Sequence, residues 1–135
     1  MVFRDGPDQY ELWREFKSLP VISVAPCRRP KLDPSGSKYS FEQEKALMME
    51  KLRTVLRIAA WYSHKDLCIG PFGIGPIFRN PVKEVAEMWR HLLYGEEEFK
   101  GVFDNVVFAI ESATELEIFQ EVFSAWTLFR KDSAS

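Results

Sequence analysis

Leu67-Cys-Ile-Gly-Pro-Phe-Gly-Ile-Gly-Pro-Ile-Phe-Arg-Asn-Pro-Val-Lys-Glu-Val-Ala86 is the stretch whose reading decides the fold. Leu67 to Ile69 reads as a short apolar strand, Gly70, Gly73 and Gly75 as a glycine loop, and Asn80-Pro81 as the start of an amphipathic helix. Asn80 is a favourable N-cap and Pro81 suits a first helical position. Together these parts describe an anion-binding turn. The strand carries the chain to a sheet end, glycines let backbone approach a ligand, and the helix start adds unpaired N–H groups with partial positive charge. A plain strand-to-helix connection gives the same pattern, and Pro71 and Pro76 each remove an N–H donor.

Outward from this stretch, the residues alternate between strand and helix signals. Val82, Val85, Ala86, Trp89 and Leu92 form a helical apolar stripe that Gly95 ends. Glu96 to Lys100 is a polar connection, and Val106 to Ile110 reads as a second buried strand. Thr114 with Glu117 has the spacing of a capping box for a last helix facing inward through Leu116, Phe119, Val122, Phe123 and Trp126, with Lys131 to Ser135 loose beyond it. On the N-terminal side, Ser40 with Gln43 opens the longest helix, buried through Met48, Leu52, Val55, Leu56 and Ala59 and finishing near Tyr62 to His64. Before it, Val21 to Ala25 is an apolar run between Pro20 and Pro26, as expected of a strand buried on both faces. The basic loop Cys27 to Lys38 follows, with Arg28, Arg29 and Lys31 at a strand's carboxyl end, where open sheets hold their ligands. It reads as a positive rim for an anion or as a solvated charge run. The first residues, Met1 to Gly6, read as a very short strand, and Asp8 to Lys17 as a helix with Tyr10, Trp13 and Phe16 on one stripe. A strand at the initiator methionine suggests a shortened ancestral domain or an edge in need of a partner.

The alternation argues for an α/β fold with about four largely parallel strands and flanking helices, one domain over residues 1–135. The chain has 135 residues, 46% hydrophobic and 28% charged, which is enough for a real core and excludes bulk disorder. Eleven Phe and four Trp make that core aromatic. The net charge of -2 gives no general drive toward nucleic acid or acidic membranes. Cys27 and Cys68 lack metal-ligand spacing and read as reduced thiols, which with no apolar run of spanning length and no secretory signal gives an intracellular expectation, cytoplasmic or nuclear.

His64-KDLCIGPFGIGPIFRNPVKEVAEMW followed by FKGVFDNVVFAI resembles the C-terminal half of the microbial-type poly(ADP-ribose) glycohydrolase family, a branch of the macrodomain fold. The resemblance spans roughly Val2 to Phe129 and is strongest from His64 to Ile110. It implies a truncated macrodomain-like three-layer fold. Gly70, Phe72, Gly73, Ile74, Gly75 and Phe78 would match the loop that wraps the diphosphate of ADP-ribose, with Arg79 and Asn80 at its exit.

The family's catalytic segment, a glycine-rich run followed by a Gln-Glu-Glu triplet, has no counterpart here. Phe41 to Ala46 (FEQEKA) contains Glu and Gln without the glycines, and the strand holding an acidic residue against adenine is also missing. The resemblance therefore implies a nucleotide-diphosphate ligand such as ADP-ribose, with no catalysis to carry over and no cofactor or metal. The sheet would lack a strand between its first and second pairs, so two copies pairing as a homodimer is the expected remedy. Two alternatives stand beside binding: an enzyme of other chemistry on the same scaffold, and a structural or interaction protein. Polar candidates for chemistry are Tyr39, His64, Asp66, Cys68, His91, Glu111 and Ser112, none in a recognisable catalytic or metal spacing. Glu42, Glu44 and Glu50 read as a solvated helix face.

Overall fold

The computed structural model describes residues 19–134, with side chains through residue 124. Helix α1 spans Glu42–Trp61, strand β1 Asp66–Ile69, helix α2 Val82–Arg90, strand β2 Asn105–Phe108 and helix α3 Ala113–Ala134. Between α2 and β2 the helix widens into one π turn, His91–Gly95, closed by the Glu96 N–H on the His91 carbonyl at 3.1 Å. The two strands are parallel and paired Asp66 with Asn105 through Ile69 with Phe108. Parallel neighbours require a long crossover, and α2 with its π turn supplies it. A mixed helix and parallel-strand architecture is compatible with the α/β expectation.

The core forms where three apolar stripes meet. Met48, Leu52 and Leu56 of α1, Val85, Ala86 and Trp89 of α2, and Phe119 and Val122 of α3 are buried in one cluster with Ile69. Trp89 sits among aromatics, 6.4 Å from the Phe72 ring edge-on and 5.9 Å from Phe108, which in turn lies 5.2 Å from Phe119. These rings link the glycine loop, β2 and α3 through one side chain. On the far side of α1, Arg53 pairs with Glu50 and Glu96, and Arg57 makes a two-pronged contact with Glu98 at 2.7 and 3.1 Å. Glu50 is thus an ion-pair partner, and the connection after the π turn is clipped onto α1.

Several expectations change. Two strands are found among the described residues, where about four were expected. Val21 to Ala25 is not a strand: Val21 is 69% exposed and no described backbone pairs with the run. Its composition satisfies a local strand pattern, but a strand needs a neighbour to hydrogen-bond. The Met1–Gly6 strand and the Asp8–Lys17 helix lie outside the described residues, as does the Trp126 side chain. Ser40 does not cap α1. Its N–H donates to the Lys31 carbonyl at 2.8 Å in a small hairpin bridged at Leu32 and Tyr39, leaving Phe41 as the N-cap. The Asp33 carboxylate ties that hairpin's tip through Ser35 and Ser37, converting part of the expected loop into a turn. Helix α3, at 22 residues, is longer than α1 at 20, and it runs to Ala134 where a loose tail was expected. Its start is held by Ser112, whose hydroxyl accepts the Glu115 N–H at 3.4 Å, rather than by Thr114.

Candidate anion-binding loop and cleft

Gly70 to Asn80 folds as three successive tight turns. The Phe72 N–H donates to the Gly70 carbonyl at 2.7 Å, Ile74 to Pro71 at 3.3 Å, and Arg79 to Gly75 at 2.9 Å. Gly73 has φ +77, and a Cβ there would collide with Met48 and press on Pro26 and Asn80. Only glycine fits both the backbone sign and the space. Gly75 has φ +99 but open space where a Cβ would go.

Asn80 departs from its expected role. Pro81 is the N-cap of α2, and no side chain caps that end. The Asn80 side chain is instead 3% exposed and turned back into the loop. Its Nδ2 donates to the carbonyls of Cys27 and Gly73, each at 2.7 Å, and its Oδ1 accepts the Tyr39 hydroxyl at 2.7 Å. Its own N–H reaches the Gly73 carbonyl at 3.0 Å. Both donors and the oxygen of the side chain are thus engaged within the protein, so Asn80 fixes the loop. Burial raises the Tyr39 phenol well above its ordinary range, assisted by nearby Cys27 and Glu84, so it stays a neutral donor. The start of α2 is also occupied: Glu84 of its first turn accepts the Tyr39 N–H at 3.1 Å and pairs with Lys45 at 3.3 Å. Its carboxylate meets the positive end of the helix from within the protein.

The loop's outer turn, residues 75–79, is different. Among the described residues the amides of Gly75, Ile77 and Phe78 donate to no acceptor. Two guanidinium groups sit on this turn: Arg79 Nε donates to the Pro76 carbonyl at 3.1 Å, and Arg29 Nε to the Ile77 carbonyl at 3.3 Å. The Arg29 N–H also donates to the Phe78 carbonyl at 2.6 Å, and with the Asn80–Cys27 bond this staples residues 27–29 onto the loop. Arg29 and Arg79 both hold positive φ, at 51° and 59°. Lys31 is directed elsewhere: its ammonium lies 5.6 Å over the Phe41 ring, and its N–H meets the Glu44 carboxylate.

On the inner side the loop opens into a cleft of about 660 Å³. It is lined by Leu19, Val21 and Ile22, by β1 from Asp66 to Ile69 with His64, and by Gly70, Phe72 and Trp89. That volume suits a nucleotide-sized guest, and the lining is largely apolar. The eight residues expected at the site therefore divide. Gly70 and Phe72 face the cleft, Gly73, Ile74 and Asn80 are buried supports, and Gly75, Phe78 and Arg79 belong to the outer turn.

The polar candidates divide as well. His64, Asp66 and Cys68 line the cleft, with Asp66 accepting the Asn105 amide at 2.8 Å. His91 lies on the π turn 3.7 Å from Glu96, and Ser112 is a helix cap. Among the described residues no group of three or more His, Cys, Asp or Glu side chains could hold a metal ion, and no helix is long and apolar enough to cross a membrane. The contribution of Arg29 to the loop, from 48 residues away, has no local sequence signal beyond its place in a basic run.

No family model and no curated relative matches the chain. Solved structures do. Poly(ADP-ribose) glycohydrolase from Deinococcus radiodurans in complex with ADP-ribose is 33% identical, with a TM-score of 0.56 over 62% of this chain and 34% of that one. The apo form of the same enzyme matches with the same identity, coverage and TM-score. The chain is accordingly similar to part of a bacterial poly(ADP-ribose) glycohydrolase, and the match spans about a third of that enzyme's length.

Proposed function

We propose that this protein binds ADP-ribose or a related nucleotide diphosphate. The observation that carries the reading is the outer turn of the glycine loop, where three amides without acceptors lie beside two arginines, on a loop whose inner end closes an apolar cleft. Backbone N–H groups and guanidinium forks suit phosphate oxygens, and the cleft suits the flat apolar parts of a nucleotide. The likeness to a glycohydrolase crystallised with ADP-ribose supports the same ligand class. The loop is macrodomain-like in this reading, and its phosphate contacts come from Gly75, Ile77, Phe78 and Arg79. Calorimetry tests the proposal: saturable heat on adding ADP-ribose is expected, and no heat with no thermal shift at millimolar ligand contradicts it.

A second reading is favoured by one observation. The register with β2 uses the carbonyls of Lys65 and Ile69, and no described strand lies along the other edge of β1, while Leu19 and Val21, which line the cleft with β1, are more than half exposed. Two copies joining along this edge would make a homodimer and bury that surface. A light-scattering mass of twice the monomer supports it, and a monomer mass at micromolar concentration rejects it.

A further inference from the structure

We propose that Arg29 and Arg79 form a two-guanidinium clamp that selects a nucleotide ending in a dianionic phosphate over one whose phosphates are both esterified. The proposal rests on the nucleotide-diphosphate reading of the loop and narrows it to a ligand class. Both side chains are fastened by the same atom in the same way. Each Nε is spent on a loop carbonyl, Pro76 for Arg79 and Ile77 for Arg29, and these two carbonyls belong to adjacent residues of one turn. The terminal nitrogens of both forks remain open, and neither arginine has a carboxylate partner among the described residues. This separates them from Arg53 and Arg57, which are neutralised by Glu50, Glu96 and Glu98.

An anchored fork loses less freedom on binding than a free one, and two forks present paired donors to an anion. Their summed charge is matched by a phosphomonoester, which carries nearly two negative charges at pH 7 on three terminal oxygens. In ADP-ribose the two charges are divided between two disubstituted phosphates with two free oxygens each, so no single phosphorus presents a dianion with three free oxygens to the two forks. The amides of Ile77 and Phe78 on the same turn have no acceptor among the described residues. The chemistry recognised is a terminal phosphate, and inorganic pyrophosphate and ADP both carry one.

Calorimetry with ADP, ADP-ribose and inorganic pyrophosphate on the wild-type chain, Arg29→Gln, Arg79→Gln and Arg29→Lys tests the clamp. The expected result is that wild type binds ADP at least tenfold more tightly than ADP-ribose. Either glutamine variant should reduce that preference to within threefold, and Arg29→Lys, with no Nε to anchor, should not restore it. Tighter binding of ADP than of pyrophosphate assigns the site to a nucleotide; equal binding assigns it to the free anion and overturns the nucleotide part of the proposal. Melting temperatures within about a degree of wild type show that these exposed positions leave the fold intact. Equal wild-type affinity for ADP and ADP-ribose, or an undiminished preference in both glutamine variants, overturns the clamp while leaving the broader reading in place. Binding of none of the three overturns both.

Discussion

The hydroxyl of Tyr39 donates a 2.7 Å hydrogen bond to Oδ1 of Asn80, 41 residues along the chain. That contact joins the hairpin before α1 to the exit of the glycine loop, and Asn80 passes the connection on to Cys27 and Gly73. The loop's shape therefore depends on a polar knot beneath it.

Removing the knot should loosen the loop before it unfolds the protein. Asn80→Ala leaves the part-buried Cys27 carbonyl and Tyr39 hydroxyl without this partner, while the Gly73 carbonyl keeps the backbone N–H of residue 80, and each unpaired group costs about 1–3 kcal/mol. We expect urea unfolding to show a loss of roughly 3 kcal/mol, with Tyr39→Phe costing about 1 kcal/mol on the same scale. Loss of nucleotide binding in Asn80→Ala at temperatures where the fold persists completes the expected pattern.

Gly73 and Gly75 should respond differently to the same substitution. Both hold positive φ, so alanine strains either by about 1 kcal/mol. At Gly73 the new methyl group also collides with Met48 in the core, whereas at Gly75 it enters open space. Thermal melting should show Gly73→Ala markedly less stable than Gly75→Ala, which should lose only the backbone strain of about 1 kcal/mol.

These two substitutions also mark what could be read in the residues alone. The apolar stripes of α1 and α2 were legible because a buried helix face repeats at a fixed spacing, and Met48, Leu52, Val85 and Trp89 are indeed in the core. Val21 to Ala25 misled because a strand is defined by its neighbour, which no local pattern supplies. Ser40 and Asn80 misled for a related reason. The Asn80 side chain has the chemistry of a cap, but its amide donates to the distant Gly73 and Cys27 carbonyls. Ser40 is instead held in the hairpin by its backbone N–H on the Lys31 carbonyl, and the helix begins after Phe41. The glycine loop was legible as a loop. That its helix end is blocked by Glu84 and its outer turn furnished by Arg29 depends on contacts between segments 45 and 48 residues apart.

Alkaline pH should weaken the fold through Tyr39. Burial raises its folded-state pKa above the usual value near 10, so between the two values the unfolded chain has lost a proton that the folded chain retains. Stability is fully present below pH 10 and falls as pH rises beyond it. Chemical unfolding at pH 9 and pH 11 should show a steeper loss for wild type than for Tyr39→Phe. Equal slopes would mean that the phenol titrates freely.

The thiols should report on the cleft. Cys68 is exposed in its wall, whereas Cys27 is partly buried and burial raises its thiol above the ordinary value. Reaction with an aromatic disulfide at pH 8 should label Cys68 first, and the bulky adduct should block ADP-ribose binding. Protection of Cys68 by bound nucleotide is the complementary expectation.

Amide chemical shifts on adding ADP-ribose test the central claim most directly, because they report on the donors themselves. The account predicts saturable shifts at Gly75, Ile77 and Phe78, with smaller changes at the cleft residues Gly70 and Phe72. Saturable shifts confined to residues away from this loop, or none at millimolar ligand, would contradict it.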